Sequence, residues 1–200
     1  MRATLLHTAE VHVARFDALR DLLAPRQQLT HIVRPDWLQT ARDNPQDHAL
    51  TAELIEAIAA AEGRVLCTCS TLGPLAATLG ALRIDAPMMA RAAQIGGRIC
   101  LAYCLHSTAQ PSQALLQSAG VETIDMLHLP NAWPAFEDGD QSRFASVIAE
   151  GICRHLNHAR DTNVVLLAQA SMDVALPLLR DAGVPVLASP ELAMRALIDG

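Results

Sequence analysis

An α/β protein built from two pseudo-symmetric halves, each a parallel sheet flanked by helices, is the fold class this 200-residue chain predicts. Three observations predict it. Short apolar runs alternate with longer segments of helical spacing. Glycines fall where a helix gives way to a strand. One strand–turn–helix unit recurs at a spacing of one hundred residues.

The strand-like runs are residues 3–7, 29–33, 65–68, 99–103, 123–127, 164–168 and 184–187. Segments of helical spacing follow them, among them 16–23, 52–61, 114–119, 144–156 and 175–179. Such alternation predicts parallel strands with helices on both faces. Gly63, Gly97, Gly120 and Gly183 stand at the helix-to-strand passages, where a residue without a Cβ adopts the left-handed conformation at least cost.

The repeat pairs Val65, Leu66 and Leu79 with Val165, Leu166 and Leu179, and Thr71 with Ser171. It also pairs Pro35-Asp36-Trp37 with Asn131-Ala132-Trp133, and Ala86-Pro87-Met88 with Val184-Pro185-Val186, the last read as a short proline-led strand in each half. No Ser/Gly linker or charge block separates the halves. The boundaries expected are 1–97, with about 183–200 packing back on it, and 98–182.

Composition narrows the function classes. A 51% apolar chain has ample material for a core. A net charge of −6 with singly scattered Lys and Arg leaves no basic stripe for nucleic acid. Residues 1–7 are interrupted too soon by His7 and Glu10 for a signal peptide, and no uninterrupted apolar stretch approaches membrane-spanning length, so no membrane partner and a cytoplasmic location are expected. Five cysteines are an odd number in a chain large enough to fold without disulfides, which favours reduced thiols. Cys100 and Cys153 read as small core residues.

Cys69 is the principal candidate for chemistry. It ends the apolar run before Ser70 and Thr71, where a strand's carboxyl end meets a helix start, the edge at which open α/β sheets bind ligands. Backbone N–H groups of Ser70, Thr71 and Leu72 would favour a thiolate or a carboxylate there. The Cys67-Thr68-Cys69 spacing alone fits two small buried residues equally well. Zinc would need two further ligands, and Cys100 and Cys104 lack the spacing, so no metal is predicted. Gln169 stands where the repeat would place a second thiol. It has no accessible ionisation, although its amide can hydrogen-bond a substrate oxygen.

His7 and His106 read as lying just past a strand end in each half. Either is a candidate for the missing acid or an oxyanion donor, or else a loop histidine exposed to water. Trp37 and Trp133 follow matching strands and suit either a cleft wall or core anchors. His155 and His158 suit a helix C-terminus better than a metal, and Asp138 or Asp140 suits a helix cap.

These motifs resemble the aspartate/glutamate/hydantoin racemase superfamily, including its arylmalonate decarboxylase and maleate isomerase-like members. Cys69-Ser70-Thr71 resembles the family's first Cys-Asn-Thr motif, with Ser70 in place of Asn. Ala168-Gln169-Ala170-Ser171 resembles its second motif, Gly-Cys-Thr followed by His or Glu, without the cysteine. His106-Ser107-Thr108 with Pro111 and Ser112 resembles its carboxylate-binding loop.

The resemblance implies a site in a cleft between the halves, no cofactor, a small-molecule carboxylate substrate and a homodimer. It implies Cys69 as a catalytic group, with His7 expected from its place at a strand end as the second, and Thr8, Ser70, Thr71, Ser107, Thr108, Gln169, Ala170 and Ser171 as substrate-binding residues. The family's racemases use two opposed cysteines. With one thiol, decarboxylation or a proton-transfer isomerisation is the expected reaction; a binding or sensory protein that has lost the second acid/base residue is the alternative.

Overall fold

The computed structural model describes residues 2–199. The chain divides into two compact units. One runs to Ala86 and takes back the chain from Pro190 onward; the other is Pro87–Ser189.

The first unit contains β1 (Arg2–His7), α1 (Val11–Leu23), β2 (Gln28–Val33), α2 (Pro35–Asp43), α3 (His48–Ala59), β3 (Arg64–Cys67), α4 (Gly73–Thr78) and β4 (Leu82–Arg83). The second contains α5 (Ala86–Ile95, Ala86 lying at the crossing), β5 (Arg98–Tyr103), α6 (His106–Ser118), β6 (Ile124–His128), α7 (Trp133–Glu137), α8 (Gln141–His158), β7 (Thr162–Leu167), a 3₁₀ helix over Ala170–Leu179 and β8 (Val186–Ala188). The last helix, α9 (Ser189–Asp199), returns to the first unit.

Each unit holds a four-stranded sheet with all neighbours parallel, in the orders β2-β1-β3-β4 and β6-β5-β7-β8. The registers superpose the repeat. Leu5 pairs with His31 and Leu66, as Leu101 pairs with Met126 and Leu166. Leu66 then meets Leu82, as Leu166 meets Leu187. β5 and β7 read as continuous apolar runs because both of their faces are covered, and residues 99–103 and 164–167 are buried throughout.

The proline-led strand of the first half is corrected here, while Pro185 does lead into β8. Pro87 is the second residue of α5, and its counterpart is Pro190 of α9 rather than Pro185. A proline suits a helix's first turn, where its missing N–H would have had no intrahelical partner. The true strand of the first half is Leu82–Arg83. The two prolines also mark the crossings between units, so the domain boundary falls at residue 86 and the returning segment begins at 190.

Local chemistry explains the element ends. Asp47 caps α3 by accepting the Leu50 N–H at 2.8 Å, and Asp140 caps α8 through the Arg143 N–H at 2.9 Å. Arg64 Nη1 donates to the Ala196 and Leu197 carbonyls, each at 3.0 Å, and so closes the end of α9. Gly63 and Gly97 have φ of 77° and 75°. A Cβ there would lie 1.9 Å from the Arg2 carbonyl oxygen and 2.1 Å from Asn163 Oδ1 respectively, so only glycine fits either passage.

Each unit has its own core. In the first, Leu6, Trp37, Leu50, Leu54, Cys67 and Leu72 pack together; in the second, α8 lays Phe144, Ile148 and Ile152 on Val165 and Leu167. Trp37 is a core anchor, with Nε1 donating to Glu53 at 2.9 Å, and Trp133 packs against Phe136. Among the described residues, no helix is long and apolar enough to cross a membrane.

Candidate active site

In the first unit the carboxyl ends of β1 and β3 carry the candidate residues. Thr8 follows β1 directly, and Cys69 stands two residues past β3, in the turn that leads into α4. The Thr8 hydroxyl, the Leu72 N–H, and both the N–H and hydroxyl of Thr71 lie around the Cys69 sulfur, and each favours its thiolate. Four donors thus converge on one sulfur. The thiol is buried, and burial raises its pKa above the ordinary cysteine value despite these donors. It is therefore a protonated thiol at neutral pH, surrounded by groups that would stabilise the thiolate once the proton has left. Ser70 is buried beside it.

Behind this turn lies a chain of hydrogen bonds. The Thr68 hydroxyl donates to the Leu6 carbonyl at 3.0 Å, so its lone pair accepts from His7 Nδ1 at 2.8 Å. A hydroxyl has one proton, which fixes the His7 tautomer: Nδ1 carries the hydrogen and Nε2 the lone pair. Nε2 then accepts from His31 Nδ1 at 2.8 Å, while His31 Nε2 faces Asp17 Oδ1 at 3.5 Å. His7 is fully buried, and burial, with His12 and His31 nearby, lowers its pKa to about 3.

This corrects the sequence expectation for His7. It is the last residue of β1 rather than a loop residue, and both its ring nitrogens are engaged inside the unit. It holds Thr68, and through Thr68 the strand end from which Cys69 emerges. On the other side of the turn, Arg83 makes a two-pronged pair with fully buried Asp85, at 2.9 and 2.7 Å. The guanidinium lies where a side chain on Gly73 would press on it, at 3.0 Å from an added Cβ.

In the second unit the corresponding edge is closed by Gln169. Its Oε1 accepts the N–H groups of Cys104 at 2.6 Å and Leu105 at 3.1 Å. The oxygen expected to face substrate is thus committed to the loop between β5 and α6. Ala170 and Ser171, both buried, open the 3₁₀ helix that follows, and Ser107 and buried Thr108 lie in the first turn of α6. His106 is the first residue of α6 and exposed; its ring lies 4.1 Å from that of His128. His128 stacks on Tyr103 at 4.9 Å and donates from Nε2 to the Cys104 carbonyl at 3.1 Å.

The remaining thiols divide by exposure. Cys67, Cys100 and Cys104 are buried, and desolvation pushes each thiol pKa up, to about 12 for Cys100 and Cys104. Cys153, read from sequence as a core residue, is exposed on α8. Among the described residues, no cluster of three His, Cys, Asp or Glu side chains suits a metal ion. The sequence reading passed over His12, His31, His128 and Arg83. The signal for His12 was its spacing from Phe16, which puts both on the inward face of α1.

Two parallel four-stranded sheets of order 2-1-3-4, each flanked by helices, with loops carrying Cys69 and Gln169 at equivalent sheet ends, define the class of fold. Solved structures share it. An allantoin racemase from Pseudomonas fluorescens matches with a TM-score of 0.70 at 12% identity, over 99% of this chain and 89% of that one. The aspartate racemase of Picrophilus torridus matches at 0.67 and 14% identity, over 98% and 92%. The Gly74Cys mutant of arylmalonate decarboxylase, in a sulfate-associated form, matches at 0.67 and 15% identity, over 99% and 92%. No protein-family model and no curated protein matches the chain. At such identities the likeness carries the fold alone: the chain shares the fold of these racemase and decarboxylase structures.

Proposed function

We propose that this protein is an enzyme of the racemase superfamily type that acts at the carbon next to a small-molecule carboxylate, with Cys69 as proton donor. The observation that carries the reading is the setting of the Cys69 sulfur, a buried and protonated thiol with four hydrogen-bond donors directed at it. Such a group is poor at removing an α-proton, because it holds its own. Being protonated, it has a proton in place to deliver to a carbanion, a far stronger base than a thiolate.

That favours decarboxylation over racemisation. In decarboxylation the bond between the α-carbon and one carboxylate breaks, its electron pair stays on carbon as an enolate-like anion, and CO₂ departs. The Cys69 S–H proton then passes to that carbon, and the thiolate, held by Thr8, Thr71 and the Leu72 N–H, is reprotonated by water. Ser70, buried beside Cys69, is the proposed donor to the remaining carboxylate. His7 acts as a positioning residue through Thr68.

The test is a panel of malonates, amino acids and hydroxy acids followed in D₂O by NMR, together with CO₂ release. CO₂ loss with one deuterium placed at the α-carbon supports the reading. Exchange of the α-proton without CO₂ loss would shift it to an isomerase. Binding with neither would make the protein a carboxylate sensor.

A further inference from the structure

His12 is, with Phe16, one of the two buried residues of α1, and its Nδ1 is a buried polar atom that the fold leaves without a hydrogen bond among the described residues. It lies in the first turn of α1, four residues past Thr8, the residue whose hydroxyl reaches the Cys69 sulfur. His12 and Phe16 are the buried residues of this helix, at 6% and 0% exposure. Phe16 packs on the His7 ring at 5.7 Å; His12 lies 6.1 Å from the same ring, one helical turn nearer the carboxyl end of β1.

The contrast with His7 is informative. His7 is buried with both ring nitrogens bonded, as a structural histidine should be. His12 Nδ1 is buried with no hydrogen-bond partner among the described residues. An apolar side chain would fill the position at no polar cost, as Phe16 does one turn on.

The repeat supplies a second, independent pointer. Tyr103 and His7 end equivalent strands, so Thr108 is the second unit's counterpart of His12. The turn is the same in both: the His12 N–H bonds to the Ala9 carbonyl at 3.2 Å and the Thr108 N–H to the Leu105 carbonyl at 3.0 Å. Each half therefore sets one buried polar side chain in the same place, at the start of the helix that follows its first strand.

We infer that His12 is a ligand-binding residue whose imidazole donates a hydrogen bond to a carboxylate oxygen of the molecule that Cys69 protonates. The inference rests on the carboxylate reading above and assigns one more residue to that site. Burial and nearby Arg15 lower the His12 pKa to about 3, so the donor is a neutral imidazole, which binds a carboxylate without transferring a proton to it.

The experiment uses the full chain labelled with ¹⁵N, titrated separately with malonate, phenylmalonate and aspartate. The Thr71 and Leu72 amides report occupancy at Cys69, and the His12 ring nitrogens report the proposed contact. The expected result is that any probe shifting the two amides shifts His12 on the same isotherm. His12→Phe then weakens that probe about ten-fold or more, and His12→Gln, which keeps an N–H donor, restores binding to within about three-fold.

Amide shifts with unmoved His12 nitrogens would overturn the inference and leave the carboxylate reading standing. The wild-type spectrum decides this even if a variant fails to fold. No amide shift with any of the three probes would overturn the carboxylate reading, and the role of His12 with it.

Discussion

Gln169 caps Cys104: its Oε1 accepts the Cys104 N–H at 2.6 Å, and the Leu105 N–H at 3.1 Å, at the position where the repeat would place the partner of Cys69. The second half has not simply lost a thiol at this place. It has put there a side chain that satisfies two backbone donors at the end of β5, which would otherwise be buried without partners. Gln169→Leu, which keeps the bulk and removes the acceptor, is expected to destabilise the protein by about 2–4 kcal/mol in urea unfolding. Gln169→Cys should do the same and should not produce a two-thiol racemase, because the sulfur is a weak acceptor for those amides.

Acid should unfold the protein earlier than its carboxylates alone would require. His7 and His12 have pKa values of about 3 in the folded state against an ordinary 6.5, so the folded state binds fewer protons than the unfolded one. Their contribution is intact above about pH 6.5 and is lost progressively as pH falls toward 3, at roughly 1.4 kcal/mol per histidine per pH unit. From pH 7 to pH 5 the two together remove about 4 kcal/mol. The groups around them are His31, Asp17 and Arg15. Urea midpoints measured across this range should fall steeply in the wild type and about half as steeply in His7→Gln.

The thiols should label in an order set by exposure. Iodoacetamide on the native protein at neutral pH is expected to modify Cys153 first, with Cys67, Cys69, Cys100 and Cys104 protected by burial. Peptide mass mapping over time reads this directly. Rapid early labelling at Cys69 would mean that its sulfur is neither buried nor protonated as described.

Thr8 acts on Cys69 through its hydroxyl, which lowers the thiol pKa against the rise caused by burial. Thr8→Val removes that donor, so the pKa should rise further, and the rate of Cys69 alkylation at alkaline pH should fall several-fold. Thr8→Ser keeps the hydroxyl and should alkylate at close to the wild-type rate.

Much of this was legible in the chain. The buried strands at 99–103 and 164–167 showed as continuous apolar runs, and Cys69 was placed at a sheet end by what surrounds it. Other parts left no local signal. Leu82–Arg83 is too short to show a period, and a proline before an apolar stretch reads equally as a strand entry or a helix start, so local pattern does not separate Pro185 from Pro190 as the counterpart of Pro87. Spacing does not say which way the side chain of a strand's last residue turns, so His7 read as a site group although its bonds run inward to Thr68 and His31. The task of Gln169 depends on backbone 65 residues away, beyond the reach of any local pattern.

The most direct test of Cys69 as proton donor is to take the best substrate from the malonate panel and compare wild type with Cys69→Ala, each with far-ultraviolet circular dichroism to confirm folding. The account predicts that Cys69→Ala keeps its fold and loses product formation by about 10²-fold or more, the usual contribution of a positioned acid. Product formed by Cys69→Ala at the wild-type rate, with the same deuterium at the α-carbon, would contradict it.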